Sequence, residues 1–155
     1  MTSLKKKSVR GFTLIEILIV IGIIAILAAI VIVAINPSKQ FAQARNTQRE
    51  AAVNTILNAI GQRVADNKGV FAGTFGSYTC GALPSSVANI GTGATDLSCL
   101  APTYIPIGIP MDPTGGTAAD TLYTVVQDSV GRVTICAPLH AEASIPGATT
   151  YCVTR

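Results

Sequence analysis

Few residues in this chain of 155 could do chemistry. There is one histidine, His140, so a hydrolytic triad or a histidine-based metal site has little to build on. We expect His140 to be an isolated surface side chain. The sequence therefore predicts a protein without a catalytic centre, and not an enzyme.

Cysteines are the main reactive residues, and they are spaced for disulfides. They lie 19, 37 and 16 positions apart, with no Cys-x-x-Cys pair, and these spacings are not those of a zinc finger, which is the alternative. Four cysteines allow three connectivities. Proximity and strand parity favour Cys80–Cys99 and Cys136–Cys152. In the chain-entropy model, closing loops of this size contributes about 3 kcal/mol each.

An uninterrupted apolar segment precedes all of these residues. Residues 17–35 are 19 positions without a polar side chain. A helix from Phe12 to Ile35 would be about 36 Å long, which exceeds the ~30 Å hydrocarbon core of a bilayer. The chain is 49% hydrophobic and only 12% charged, which excludes a disordered chain and argues against an ordinary soluble enzyme.

Two simpler interpretations of this segment are a secretory signal peptide and a plain membrane anchor. The run is too long for a signal peptide, and no clear small-residue cleavage site follows it. A plain anchor leaves Glu16 unexplained, because a carboxylate one turn into a spanning helix needs a partner or a route to water.

Basic residues are concentrated ahead of the apolar segment, at Lys5, Lys6, Lys7 and Arg10. The positive-inside rule keeps this end cytoplasmic and places the rest of the chain outside the inner membrane. Seven basic and eight acidic side chains follow, so the net charge of +3 gives no direct evidence for nucleic-acid binding.

The stretch Gly11-Phe12-Thr13-Leu14-Ile15-Glu16, between a basic leader and an Ile/Val/Ala-rich run, resembles the class III signal of type IV prepilins and pseudopilins. In that family a prepilin peptidase cuts after the glycine and N-methylates the new terminal phenylalanine. The resemblance implies that residues 1–11 are a leader, that cleavage falls between Gly11 and Phe12, and that Phe12 is methylated. Many members have a proline inside the apolar segment, whereas this chain has Gly22 there and its first proline at Pro37.

The same resemblance implies an assembly role for Glu16. Cleavage creates a positive amine at Phe12, and the apolar segments of such proteins bundle in a filament core. A buried unpaired carboxylate there would cost several kcal/mol. The amine of a neighbouring subunit neutralises Glu16, and the pair favours the correct axial stagger.

Calcium is a candidate ligand in the C-terminal half, where Asp112, Asp120 and Asp128 are spaced eight apart. Major pseudopilins hold calcium in a comparable C-terminal loop, and carboxylate oxygens suit that ion. These three residues follow no recognisable loop pattern, and turn or hairpin roles are the alternative. We therefore expect no cofactor and no resident metal.

The elements that position these residues begin with helices. We expect residues 12–36 to form a transmembrane or filament-core helix that continues, with a bend near Pro37, as an amphipathic helix over 37–68. Gly69 suits the position just after its end. Its apolar stripe comprises Val53, Ile56, Leu57, Ile60 and Val64. Its polar surface is expected to comprise Gln43, Arg45, Asn46, Gln48, Arg49, Gln62 and Arg63.

Residues 69–155 are expected to form a globular head, with a long connecting loop to residue 120 and then a three-stranded antiparallel sheet. The strands are predicted at 121–127, 132–137 and 149–154. Alternation sends Val133, Ile135, Tyr151 and Val153 toward the helix and places Cys136 and Cys152 on the opposite side. The predicted fold is α+β and pilin-like.

These features together predict a structural subunit of a type IV pilus-like filament. Its expected partners are further copies of itself, a prepilin peptidase, the inner-membrane assembly machinery, and membrane lipid before assembly. The precursor is expected in the bacterial inner membrane and the product in an extracellular surface filament. The alternatives are a type II secretion pseudopilin and a single-span anchored binding module.

Overall fold

The computed structural model describes residues 11–155, and the expected leader charges at Lys5, Lys6, Lys7 and Arg10 lie outside the described residues. The chain divides beside Pro37 into two compact units. The first contains helix α1, Leu14–Ala34. The second contains helix α2, Pro37–Asp66, and all the strands.

Helix α1 ends where the sequence predicts a bend, and it does not continue into α2. Ile35 is extended, with φ −95° and ψ 113°. Pro37 disfavours helical backbone at the preceding residue, but is tolerated as the first residue of a helix, where its missing N–H has no intrahelical partner. The expected bent helix is therefore two helices separated by residues 35–36.

Helix α2 buries one face in the head and ends at Asp66, three residues before Gly69. The Gly69 N–H donates to the Val64 carbonyl at 2.8 Å, and Gly69 has φ +89°, a conformation that favours glycine at a helix C-terminus. Four of the five predicted stripe residues are buried, and Val64 packs partly buried against the same core. The four are Val53, Ile56, Leu57 and Ile60.

Three polar residues of α2 are buried, although the sequence predicts them on the helix surface. Asn46, Arg49 and Arg63 are expected on the surface, but only 6%, 1% and 1% of their areas are exposed. Arg63 is satisfied by carbonyls and rings: its Nε donates to the Phe71 carbonyl at 3.0 Å, and its guanidinium lies 5.0 Å from the Phe75 ring centre. A long polar side chain can be buried when distant residues supply its partners, and periodicity cannot show that.

The strands form two antiparallel sheets. A hairpin pairs β1, Gly73–Phe75, with β2, Tyr78–Cys80. The main sheet has the order β3-β4-β5-β6, from Ala88–Asn89, Thr124–Gln127, Val133–Ala137 and Tyr151–Thr154. It thus has four strands and not three, and the expected long loop contains a hairpin. The two-residue β3 is too short to leave an alternating pattern in the sequence.

The core of the head lies between α2 and the main sheet, and the α+β prediction is confirmed. Val133, Ile135 and Ala137 are buried on alternate positions of β5, and Tyr151 and Val153 pack partly buried against the same cluster. The alternation of the strand residues is therefore as predicted, with this set facing α2. Other fully buried members are Ile90, Leu100, Tyr123 and Val125.

Two disulfides cross-link the head. Cys80 bonds to Cys99 with 5.5 Å between Cα atoms, and Cys136 bonds to Cys152 with 4.1 Å. Val133 and Arg155 exchange both backbone hydrogen bonds, so the opposed pair Cys136 and Cys152 falls at a non-hydrogen-bonded position of the ladder. At such positions Cα atoms approach most closely, which suits a cross-strand disulfide.

Candidate processing and assembly site

The residues of the predicted cleavage site lie at the exposed start of α1. Gly11 and Phe12 precede the helix, and 82% of Phe12 is exposed. Thr13 is the N-cap, in extended conformation with φ −82° and ψ 151°. The bond between Gly11 and Phe12 therefore lies in non-helical backbone, and Phe12 directly precedes the cap.

Thr13 and Glu16 form a capping box that closes the first turn of α1. One carboxylate oxygen of Glu16, Oε2, accepts from both the N–H and the hydroxyl of Thr13 at 2.7 Å. The Glu16 N–H donates to the Thr13 hydroxyl at 3.3 Å. The carboxylate is thus held at the N-terminal turn, where the helix dipole also favours a negative charge.

Sequence reasoning missed Thr13. The signal for it is the spacing Thr-x-x-Glu immediately before an apolar run, which is the sequence pattern of a capping box. The arrangement shows how Glu16 satisfies part of its hydrogen-bonding capacity within its own chain.

Apart from Glu16, the surface of α1 from Leu14 to Ile32 is apolar on all sides. From Leu14 to Ile32 every side chain is exposed, and this segment is long and apolar enough to cross a membrane. Water solvates such a surface poorly, and exposed apolar patches of this size mark membrane or protein interaction sites. Lipid or other helices must therefore cover α1.

A comparison with known families supports this N-terminal site. Residues 6–32 match the prokaryotic N-terminal methylation motif, which is the class III prepilin signal of type IV pilins and pseudopilins. The resemblance predicted from the sequence is confirmed. No solved structure matches the chain.

The N-terminal segment is therefore similar to that of type IV pilin and pseudopilin precursors, and the apolar helix α1 supports membrane anchoring. The motif is that of structural subunits and not of an enzyme family. It implies processing by a prepilin peptidase and assembly into a pilus or pseudopilus. The match ends at residue 32, so the head must be interpreted from its own structure.

The carboxylates considered for calcium have separate partners. Asp112 pairs with Arg49 at 2.6 Å, Asp128 pairs with Arg132 at 2.8 Å, and Asp120 accepts from Asn89 at 2.9 Å. Within residues 11–155, no three His, Cys, Asp or Glu side chains form a group that could hold a metal ion. The structure does not bring these carboxylates into one site.

His140 is not the isolated surface residue that the sequence predicts. Its ring is 5.4 Å from the Tyr151 ring, centre to centre. Its Nε2 lies 3.1 Å from a Glu50 carboxylate oxygen, and its Nδ1 lies 3.0 Å from the Thr149 carbonyl. The residue joins the disulfide-bounded segment 137–151 to α2, which is a structural role.

An ionic cluster around Arg49 ties α2 to two distant segments of the head. Nε and Nη2 of Arg49 donate to the two Asp112 oxygens at 2.6 and 3.1 Å, and Nη1 donates to Glu142 at 2.6 Å. Asn46 and Thr114 accept the two remaining N–H groups, so all five guanidinium hydrogens are used. Arg45 also pairs with Glu142, which balances the charge of the cluster.

Hydrogen bonds lower the pKa values of the Glu142 and Asp112 carboxyl groups. Those from Arg45 and then Arg49 lower the pKa of Glu142 from 4.5 to about 2. For Asp112, burial acts to raise the pKa, but hydrogen bonds from Arg49 and Thr114 outweigh it and hold the pKa below its ordinary value. Because both values are lowered on folding, their contribution to stability is present above about pH 5 and is lost as the pH falls toward 2.

Replacing Arg49 by methionine is expected to destabilise the head by about 3–5 kcal/mol, because it leaves the buried Asp112 carboxylate without its cation and leaves Glu142 with Arg45 alone. For a unit of this size the melting temperature should fall by about 10–20 °C. Thermal unfolding of the detergent-solubilised chain measures this. The control is Arg132→Met, which removes an exposed ion pair worth at most about 1 kcal/mol. Equal shifts for the two variants would contradict the structural importance of the cluster.

Both disulfides should be detectable in the native protein. All four cysteines are expected to resist alkylation until the protein is reduced. Trypsin would leave each pair within one peptide, whereas a protease specific for Asp and Glu cuts at Asp96 and at Glu142, between the partners. Linked peptides should then join Cys80 to Cys99 and Cys136 to Cys152. A Cys99–Cys136 peptide would reject the pairing, and free thiols would reject the disulfides altogether.

Proposed function

We propose that this protein is a subunit of a type IV pilus-like filament, cleaved between Gly11 and Phe12 and methylated on the new Phe12 amine. The observation that supports this most strongly is the combination of the methylation motif with a helix that is apolar on every side apart from Glu16. In a single anchor that carboxylate would serve only to cap the helix. In a subunit that moves from lipid into a bundle of identical helices it would also pair with the new amine of a neighbour.

Before assembly, lipid covers α1. Lys5, Lys6, Lys7 and Arg10 hold the leader in the cytoplasm by the positive-inside rule, and the disulfide-bonded head lies outside the inner membrane. Removal of the leader deletes these four charges and leaves one amine, at Phe12. The apolar helix can then leave the bilayer without carrying a cluster of lysines through hydrocarbon.

During assembly, α1 exchanges lipid for the helices of neighbouring subunits. Lipid tails are as apolar as the helix, so packing and polar pairing determine the arrangement. In a core with little water, Glu16 of one subunit pairs with the Phe12 amine of another. Any other axial stagger leaves both charges without a partner, so the pair sets the register more than it supplies attraction.

The head favours an exposed pilus over a periplasmic pseudopilus. Two disulfides stabilise it, and Asp112, one of the carboxylates considered for calcium, is buried against Arg49. In this proposal the head is stable without a bound ion, whereas major pseudopilins hold calcium in a comparable loop. The alternative is a pseudopilin, which has the same N-terminal signal and whose filament stays short. A membrane-anchored binding module is the other alternative.

Sheared surface material, imaged after labelling with antibody against the head, tests this proposal. A pilus subunit should label long filaments released from intact cells. Label confined to the periplasm would favour the pseudopilin. Label confined to membranes, with no filament in either compartment, would favour the anchored module.

A further inference from the structure

Two apolar grooves flank helix α2 on the surface of the head. One, of about 500 Å³, lies between α2 and the loop 105–113. The other, which we call the α2 groove, has a volume of about 460 Å³ and lies between the C-terminal half of α2 and the end of the main sheet. The α2 groove is lined by Leu57, Ile60, Val64 and Val133, with Asn58 and Arg155 among its polar residues.

The two grooves lie on different edges of the packed helix. Ala51 and Thr55 line the first, and Gly61 and Val64 line the α2 groove. At 100° per residue, these two pairs project about 130° apart around the helix. One subunit can therefore present one edge to a neighbour while its other edge faces a different neighbour.

An isoleucine projects from the loop beside the first groove. Ile107 is 99% exposed, the most exposed large apolar side chain of the head. It occupies a tight turn in which the Gly108 N–H donates to the Ile105 carbonyl at 3.3 Å, and Ile105 itself is 2% exposed. Pro106 and the buried Ile105 hold the turn, so Ile107 is presented on a fixed support and not on a free chain end.

We propose that Ile107 of one subunit packs into the α2 groove of the next subunit. This inference rests on the proposed filament function, because it requires a second copy of the same chain as the occupant. The projecting residue and the groove lie on different edges of α2, so the contact is heterologous and does not close into a dimer. Repeating it generates an open helical array, which is the symmetry that a filament needs.

The charged residues near Ile107 and in the α2 groove have opposite signs, which agrees with the proposed contact. Asp96 lines a third depression together with Ile107, and its side chain is exposed. Arg155, whose side chain is also exposed, lines the α2 groove. Opposite charges on the two faces favour contact between one face and the other over contact between two identical faces.

Ile107→Ser should lower the yield of sheared filament about tenfold, the change in association that burying one such side chain can produce. The membrane-bound mature subunit and its melting temperature should stay the same, because Ile107 is outside the core. Val87→Ser is the matched control, since Val87 is 70% exposed and lies in neither groove. Equal yields from the two variants would overturn the proposed contact.

Cysteine cross-linking in filaments tests the contact directly. The double variant Ile107→Cys/Gly61→Cys places one thiol on the projecting turn and one in the α2 groove, where a Cβ at Gly61 meets no atom within 4 Å. Mild oxidation of sheared filaments should produce a ladder of dimers, trimers and longer species on non-reducing gels. The mismatched pair Val87→Cys/Gly61→Cys should remain monomeric.

Other results of the cross-linking experiment would overturn the proposed contact. Dimers from Ile107→Cys alone would show contact between identical faces and overturn the proposal, as would cross-linking to a different protein. Filaments that form but give no ladder would reject this contact and leave the filament function standing. If the wild type gave no filaments at all, the proposed function would fail and this contact with it.

Discussion

Replacing Glu16 by alanine should abolish filament assembly or reduce it to a small fraction of wild type, while insertion, cleavage and folding of the head stay nearly unchanged. In the membrane, water and lipid headgroups lie close to the first turn of α1, so the Phe12 amine can be solvated without Glu16. In a filament core, water cannot solvate the Phe12 amine. Without Glu16 its charge would be buried and uncompensated, which costs several kcal/mol. The measurement is the ratio of sheared filament to membrane-bound mature subunit.

Two further substitutions separate the charge of Glu16 from its capping role. Glutamine at this position retains the capping box with Thr13 but is neutral, so Glu16→Gln should assemble as poorly as Glu16→Ala. Aspartate retains the charge with a shorter reach, so Glu16→Asp should be intermediate. Wild-type filament levels from Glu16→Ala would show that this charge does not set the register.

A bulky residue at position 11 should stop maturation entirely. The prepilin peptidase is expected to accept no large side chain before the cut, so Gly11→Val should leave the full-length precursor in the inner membrane, without filaments. The chain itself does not impose this requirement, because a Cβ at Gly11 meets no atom within 4 Å. The band size on a gel and the N-terminal sequence of the membrane fraction measure the effect.

Gly22→Val is the matched control for this prediction. It makes the same change inside α1, where a Cβ is equally unobstructed, and it leaves the cleavage site intact. Its precursor should be cut normally. Mature subunit of normal length from Gly11→Val would defeat the assignment of the cleavage site.

The sequence predicts the apolar helix and the methylation motif of the N-terminal unit well, because their signals are local. The apolar run, the single carboxylate and the glycine before Phe12 lie within one short segment, and each has a direct physical meaning. The capping box could also have been predicted, since Thr13 and Glu16 are three residues apart. Strand parity likewise predicts that Cys136 and Cys152 lie on the same side of the sheet, which is where the structure has them.

The features that escape prediction depend on residues far apart in the chain. Arg49 looks like a surface residue of an amphipathic helix until Asp112 and Glu142, 63 and 93 positions away, supply its partners. Strand β3 is defined by its pairing with β4 and not by its own two residues. The projecting turn at Ile107 is apolar in sequence and would be assigned to the core. Only the fold shows that Ile105 is buried and Ile107 is not.

The intact mass of the subunit in sheared surface filaments tests the central claim most directly. The proposal predicts filaments whose subunit has the mass of residues 12–155 plus CH2 for the N-methylation, less the four hydrogens lost in forming two disulfides. Reduction should add those four hydrogens back. A chain that starts at Met1 and is recovered only from membranes would contradict the claim, because such a protein would be an uncut anchor.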